Sequence, residues 1–193
     1  QGDALMMARA LGSRTSDPGY LSEYLKWMKK EYSPAYLSLA VMDIHGTVVA
    51  ATEPSLVGRD YSRAASFIAA RATRRLDIAD IAEQEAESGV DLIAFTAPIL
   101  DSQGTFLGAV TSQVGVPFLE EVTTRTIRSL EARPGAGGRV EYQMLTRQGR
   151  VFVDSNLPHK AAINLKELGL PSVLLSEAGV PGFIEEEHLR RHV

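Results

Sequence analysis

One pattern occurs twice in the chain and constrains its fold more than any other feature. Residues 39–52 and 142–155 each predict an apolar strand, a two-residue turn that ends in Gly, and a second strand closed by a small hydroxyl residue. Gly46 and Gly149 supply the positive φ that a tight β-hairpin turn needs. Because the two glycines are too far apart for a solenoid repeat, the sequence predicts two similar small modules in tandem.

The composition of the 193-residue chain is that of an ordinary globular protein, since 45% of its residues are hydrophobic and 23% are charged. The net charge is −4, and Lys and Arg occur singly or in isolated pairs rather than in a basic stripe, which argues against a nucleic-acid surface. The sequence contains no cysteine, which excludes disulfides, thiolate metal sites and cysteine nucleophiles. No segment is long and apolar enough to span a bilayer. Because the chain starts at Gln1 rather than at Met, we expect a signal or membrane helix upstream.

Two helices are predicted near the N-terminus, over residues 3–11 and 18–32. Pro18 follows Asp17 as an N1 proline follows a capping residue. In the second helix, apolar residues recur at three- and four-residue spacing and therefore share one face: Leu21, Tyr24, Leu25 and Met28. We expect this face to pack on a sheet.

Five strands are predicted to form an antiparallel sheet after these helices, over residues 36–43, 47–52, 78–83, 92–100 and 106–114. An Ala-rich helix over 62–73 follows the second strand. Gly89 and Gly104 mark turns between the later strands. An amphipathic helix over 117–130 leaves the sheet after the fifth strand.

Residues 131–138 have the composition of a linker and separate the two hairpin patterns. The second pattern continues with predicted strands at 140–146 and 150–155, a helix at 164–178 and a strand at 182–187. This second module lacks its last strands, so we expect the chain to be part of a larger protein. The predicted class is α+β, with a long N-terminal helical region (1–35), one complete module (36–131) and one truncated module (139–193).

Four short sequence phrases follow one another in order, at residues 42–50, 57–62, 97–104 and 107–110. Together with the order of the predicted elements, these phrases resemble the Cache family of bacterial extracellular sensor domains. The chain resembles a double Cache domain in particular, in which two PAS-like modules follow a long N-terminal helix. The resemblance implies that 36–131 is the membrane-distal module and 139–193 part of the membrane-proximal one.

The resemblance also implies a function. The chain is expected to be the periplasmic, ligand-sensing segment of an inner-membrane receptor, namely a histidine kinase, a chemoreceptor or a diguanylate cyclase. A small molecule bound in the distal module shifts the N-terminal helix, provided that the two helix arrangements differ in affinity for it. The segment itself is expected to be non-catalytic, because the sequence has no nucleophile elbow, phosphate loop or dinucleotide-binding glycine pattern. The alternative is a ligand-free structural domain that dimerises or binds a periplasmic partner.

Family members that bind amino acids carry an Arg followed two positions later by an aromatic residue, just after an Asp-x-Ser phrase, and a strand carboxylate that pairs with the ligand ammonium. This chain departs from that pattern. It has Ala64 at the arginine position, Ser66 and Phe67 at the aromatic positions, and Gln113 at the carboxylate position. An ammonium buried there without a countercharge is costly. We therefore expect a neutral or anionic ligand rather than a typical amino acid.

The candidate ligand-binding residues are Tyr61, Arg63, Ser66, Phe67, Asp80, Thr111 and Gln113. Arg63 is either a clamp for a carboxylate or a solvent-exposed residue. Tyr61 and Phe67 are either walls of a cavity or core residues. For the residues on predicted strands, period-two alternation does not decide which face of the sheet is the inner one.

No cofactor and no metal site are expected. His188 and His192 share one helical face, but two ligands do not make a metal site, and Arg190 and Arg191 between them repel a cation.

We expect the receptor to dimerise through the first helix. The candidates for exposed apolar positions that pair with a second copy are Leu5, Met6 and Leu11.

Overall fold

The computed structural model describes residues 2–11, 17–79, 92–133, 142–145 and 151–154. The chain divides into two compact units, Gln1–Phe118 and Leu119–Val193. Asp80, the predicted helix at 164–178 and the predicted strand at 182–187 lie outside the described residues. The division of the chain into 1–35, 36–131 and 139–193 stays a prediction.

A five-stranded antiparallel sheet forms the centre of the first unit. The α+β class and the five-stranded antiparallel sheet that the sequence predicts are thereby confirmed for this unit. The strands lie side by side in the order β2-β1-β5-β4-β3. In chain order they are β1 (Tyr36–Asp43), β2 (Val48–Ala51), β3 (Asp77–Ala79), β4 (Leu92–Leu100) and β5 (Phe106–Gly115).

Three helices accompany this sheet: α1 (Gly2–Leu11), α2 (Pro18–Glu31) and α3 (Ala65–Thr73). α2 begins at Pro18 because the Asp17 carboxylate accepts hydrogen bonds from the N–H groups of Gly19 at 3.0 Å and Tyr20 at 3.1 Å. α2 packs on β1 and β2 through the stripe expected from the sequence, of which Leu21, Leu25 and Met28 are buried.

α1 packs on β4 and β5, and it corrects one expectation. Leu11 is fully buried rather than exposed, because it continues the inward stripe of Ala4, Met7 and Ala8 at helical spacing. Leu5 and Met6 are 40% and 58% exposed, as expected.

In two turns of the sheet, an Asp carboxylate accepts hydrogen bonds from two backbone N–H groups of the turn. In the β1–β2 turn, Asp43 Oδ1 accepts hydrogen bonds from the N–H groups of His45 at 2.8 Å and Thr47 at 3.0 Å. In the β4–β5 turn, Asp101 Oδ1 accepts in the same way from the second and fourth residues after it, both at 2.8 Å. Gly46 completes the first turn with a φ of +91°. Each Asp therefore fixes a bend that a following Gly makes sterically accessible.

The second unit contains a hairpin that repeats the first one. The helix α4 (Val116–Glu131) follows β5, and the strands β6 (Gln143–Leu145) and β7 (Val151–Asp154) pair antiparallel. In β1–β2 the paired residues are Ala40–Ala51, Val41–Ala50 and Met42–Val48; in β6–β7 they are Gln143–Asp154, Met144–Val153 and Leu145–Val151. Each residue number in the second set exceeds its counterpart in the first by the same number of residues that separates Gly46 from Gly149 in the sequence. Even the register shift recurs at the same point, so the repeat seen in the sequence extends to the pairing of the strands.

Candidate functional site

A cavity of about 700 Å³ lies in the first unit, between the sheet and the segment that joins β2 to α3. Residues of β1, β2, β4 and β5 form one side of it, and residues of the segment 53–66 form the other. Small-molecule sites in proteins have volumes of roughly 300–1,000 Å³. The cavity is therefore large enough for a metabolite.

Four uncharged polar residues from three adjacent strands face this cavity, and we call them the polar floor: Ser38, Thr96, Thr111 and Gln113. The strand register brings them together. Gln113 of β5 lies opposite Ser38 of β1, and Thr111 of β5 lies opposite Thr96 of β4. The Thr96 hydroxyl donates a hydrogen bond to Thr111 Oγ1 at 3.3 Å. Ser38 and Thr96 are buried, with 7% and 1% of their surface exposed.

Small residues keep the space beside the polar floor open. Ala40 is the strand neighbour of Thr111, and Ala94 is the strand neighbour of Gln113. Ala64 and Ala65 face the cavity from the opposite side, at the start of α3. A larger side chain at any of these positions would occupy part of the cavity.

Backbone hydrogen bonds hold the opposite wall against the β1–β2 hairpin. The N–H of Tyr61 donates to the carbonyl of Gly46 at 2.8 Å, and the N–H of Val48 donates to the carbonyl of Arg59 at 2.9 Å. Gly46 is needed at this contact, because a Cβ at that position would lie 2.7 Å from Cα of Ser62. These contacts with the hairpin turn therefore fix the backbone position of Tyr61 on the wall opposite the polar floor.

The charged groups of the cavity lie together on this second wall. Among the described residues that line the cavity, Glu53 and Arg59 carry charge. Lys29 Nζ of α2 donates to Glu53 Oε1 at 2.6 Å, so Glu53 connects the cavity with an N-terminal helix. Arg59 Nε donates to the carbonyl of Ser55 at 3.1 Å.

The structure brings together four of the seven residues that the sequence marks as candidates. These four line the cavity: Tyr61, Ser66, Thr111 and Gln113. Phe67 is fully buried and packs edge-on against Phe106 with ring centroids 5.7 Å apart, so it belongs to the core rather than to the cavity wall. Arg63 is exposed and does not line the cavity. Asp80 lies outside the described residues, and ligand binding by any of the seven stays a prediction.

Sequence reasoning missed most of the other residues that line the cavity, among them Ser38, Thr96 and Arg59. Ser38 alternates with Ala40 and Met42 along β1, and this was a usable signal, because a hydroxyl on an otherwise apolar strand face marks either a hydrogen-bonding core site or a polar cavity. For Arg59 the sequence gives no such signal, since it lies in an irregular segment whose path only the fold determines.

The described part of the chain contains no cluster of three or more His, Asp or Glu residues placed to hold a metal ion. His188 and His192 lie outside it. No helix within the described ranges is both long and apolar enough to cross a membrane.

Comparison with known proteins gives structural matches only. No protein-family model matches the sequence, and no curated protein matches it. An extracellular ligand binding receptor from Desulfohalobium retbaense has a TM-score of 0.64 and 20% identity, over 89% of this chain and 31% of that one. The extracellular domain of the putative histidine kinase rpHK1S-Z16 has a TM-score of 0.59 and 17% identity, over 80% of this chain and 61% of that one. The ligand-binding domain of the Pseudomonas fluorescens chemoreceptor CtaA, solved in complex with L-serine, has a TM-score of 0.56 and 19% identity, over 86% of this chain and 68% of that one.

The chain has the fold of the extracellular sensor domains of histidine kinases and chemoreceptors. The Cache-like fold expected from the sequence is confirmed at that level, whereas the double arrangement of modules stays a prediction. This chain spans 31% and 61% of the lengths of the first two matches. Similarity at these identities establishes the fold, and a shared fold does not by itself assign a ligand or an output.

Proposed function

We propose that this chain is the extracytoplasmic small-molecule-sensing segment of a bacterial inner-membrane receptor, lying in the periplasm. A histidine kinase is the output we favour, with a chemoreceptor or a diguanylate cyclase as the other two. The segment itself is non-catalytic. The observation that carries this proposal is the cavity of about 700 Å³, which has a polar floor on the sheet and a second wall tied to the β1–β2 hairpin.

The ion pair between Glu53 and Lys29 supports a route from the cavity to the N-terminal helices. Glu53 lines the cavity and accepts from Lys29 Nζ of α2 at 2.6 Å. A ligand that moves Glu53 therefore acts directly on α2. Such a ligand shifts the helix only by as much as its affinity differs between the two helix arrangements.

The proposed ligand is not a typical amino acid. An α-ammonium group needs a carboxylate in a desolvated site, and Gln113 stands at the strand position where amino-acid-binding relatives of the Cache family carry one. Glu53 is the carboxylate among the described lining residues, and Lys29 already pairs with it. Thermal-shift measurements with the common amino acids should therefore show no stabilisation.

The sensing role is tested by a ligand screen on the 193-residue chain, with native mass spectrometry to detect any retained molecule and thermal shift to detect added ones. A ligand present at one hundred times its Kd stabilises the folded state by about 2.7 kcal/mol, which is readily measured. Ala94→Leu places a larger side chain in the cavity and should abolish the shift. Ala72→Leu, at an exposed position of α3, is the matched control and should leave it intact.

Two results would contradict the sensing role. One is the absence of any retained or stabilising small molecule, and this would favour a ligand-free structural domain. The other is a thermal shift that persists in Ala94→Leu, because the ligand would then bind elsewhere.

The intact receptor is proposed to be a homodimer that associates through its N-terminal helix. Leu5 and Met6 are exposed apolar residues on α1 and are the candidates for the contact. Analytical ultracentrifugation of the full receptor should give a dimer that Leu5→Glu weakens. A monomeric receptor would refute the proposal.

A further inference from the structure

One buried hydroxyl of the cavity has no hydrogen-bond partner among the described residues. Ser38 is 7% exposed and faces the cavity from β1. A hydroxyl donates one hydrogen bond and accepts up to two, and burying it without any is unfavourable. Almost all buried polar groups in proteins are hydrogen-bonded, so an exception inside a cavity points to a partner that binds there.

A second hydroxyl of the polar floor, that of Thr111, can donate a hydrogen bond to a ligand. Thr96 donates to Thr111 Oγ1 at 3.3 Å, so Thr111 acts as the acceptor in this pair. The hydroxyl proton of Thr111 then remains for a further acceptor. Gln113 lies between this pair and Ser38 and carries both a donor and an acceptor on its amide. The polar floor thus offers donors and acceptors together, which is the pattern that ligand hydroxyl groups match.

The charges around the cavity do not favour an ionic ligand. The four residues of the polar floor are uncharged, while Glu53 and Arg59 lie on the other wall. Lys29 pairs with Glu53, and Arg59 keeps its charge but is held on that other wall by its Nε–H bond to the Ser55 carbonyl. The polar floor itself supplies no countercharge, so an ionised group that is desolvated against it is unfavourable.

The spacing of the hydroxyls sets the size of the ligand. Ser38 lies on β1 and Thr96 on β4, with β5 between them. Adjacent strands are about 4.8 Å apart, so these two strands are about 10 Å apart across the sheet. A ligand that bonds to both ends of the polar floor must therefore carry polar groups at both of its own ends.

We propose that the cavity binds an uncharged polyhydroxylated molecule of monosaccharide or polyol size. This inference rests on the proposed sensing function and specifies its ligand class. Ser38 and Thr111 are the residues that select hydroxyl groups. Gln113 lies beside Ser38 on the adjacent strand β5.

Isothermal titration calorimetry on the 193-residue chain tests the class with five probes: D-glucose, sorbitol, myo-inositol, L-serine and succinate. At least one of the three neutral probes should bind, and L-serine and succinate should not. Ser38→Ala and Thr111→Val should each weaken that binding roughly 3- to 10-fold, the effect of one net hydrogen bond. Ser102→Ala, an exposed serine in the β4–β5 turn, is the matched control and should not change it.

The outcomes separate this inference from the sensing role. Binding of L-serine or succinate, with no neutral probe bound, would overturn the ligand class and leave the sensing role standing. Neutral binding that Ser38→Ala and Thr111→Val leave unchanged would also overturn the inference, because the polar floor would then not hold the ligand. If none of the five probes binds, the class is overturned. The retained-ligand measurement by native mass spectrometry then decides the sensing role on its own.

Discussion

Gly46→Ala should destabilise the first unit for two separable reasons. Gly46 has a φ of +91°, which an L-residue with a side chain adopts only at a cost. In addition, the new Cβ would lie 2.7 Å from both Cα and N of Ser62. These are backbone atoms of the segment that carries Tyr61, so the contact is relieved only if the cavity wall moves.

A matched variant separates the two costs. Gly104, in the β4–β5 turn, has a similar φ of +82°, but a Cβ there would meet nothing within 4 Å. Gly104→Ala should therefore cost only the left-handed conformation, about 1–2 kcal/mol. Gly46→Ala should cost this amount plus about 1–3 kcal/mol for the steric overlap with Ser62. The loss of backbone entropy in the unfolded chain is the same for both variants and cancels in the comparison.

Urea denaturation followed by tryptophan fluorescence measures the difference. Trp27 is the one tryptophan of the sequence and lies in α2 of the first unit, so the signal reports on this unit. The midpoint for Gly46→Ala should fall clearly below that for Gly104→Ala, with a similar slope. Equal midpoints would refute the claim that the hairpin turn supports the cavity wall.

Three further predictions concern the stability of the same unit. Gly108→Ala should strongly destabilise it, because a Cβ on Gly108 would overlap the carbonyl oxygen of Met42 on the adjacent strand; an unchanged melting temperature would contradict this. The N–H of Thr105 holds the pKa of Asp101 below its usual value of 3.8, so the stability that the ionised Asp101 contributes is present above that pH and is lost as the pH falls below it. Asp101→Asn should accordingly be less stable at neutral pH and lose less stability on acidification, as measured by urea midpoints from pH 7 to about pH 3. Phe67→Leu should cost about 1–2 kcal/mol in the same denaturation assay, because the ring is fully buried, and a cost near zero would argue against its place in the core.

Local sequence signals predicted where the β1–β2 hairpin bends and which glycine it needs, although the turn comprises residues 44–46 rather than the two residues expected. Asp43 and Gly46 determine the β1–β2 turn through two hydrogen bonds and one positive φ, and neither requires distant residues. Asp17 and Pro18 set the start of α2 in the same local manner. Signals of this kind are readable from the sequence because their partners lie within four residues.

The cavity was predictable only in part, because it depends on which face of each strand is covered. Alternation showed that Thr111 and Gln113 share a face, but it did not show that Ser38 and Thr96 are their neighbours. That information lies in the strand order, which places β5 between β1 and β4. The same limit applies to Ser66 and Phe67, consecutive residues of α3 of which one lines the cavity and the other fills the core.

The alanines around the cavity allow a test between a sensing domain and a purely structural one. Ala40, Ala64 and Ala94 stand where larger apolar residues would fill space and add buried surface, and each buried methylene contributes about 0.8 kcal/mol. A domain whose role is only to hold a shape gains from filling this space, whereas a domain that binds a ligand there must leave it open. Ala94→Leu should therefore leave the stability of the ligand-free chain unchanged or higher while it abolishes ligand binding. Loss of stability together with binding would instead show that Ala94 is small because the packing of the sheet requires it, and the argument that the cavity is maintained for a ligand would fail.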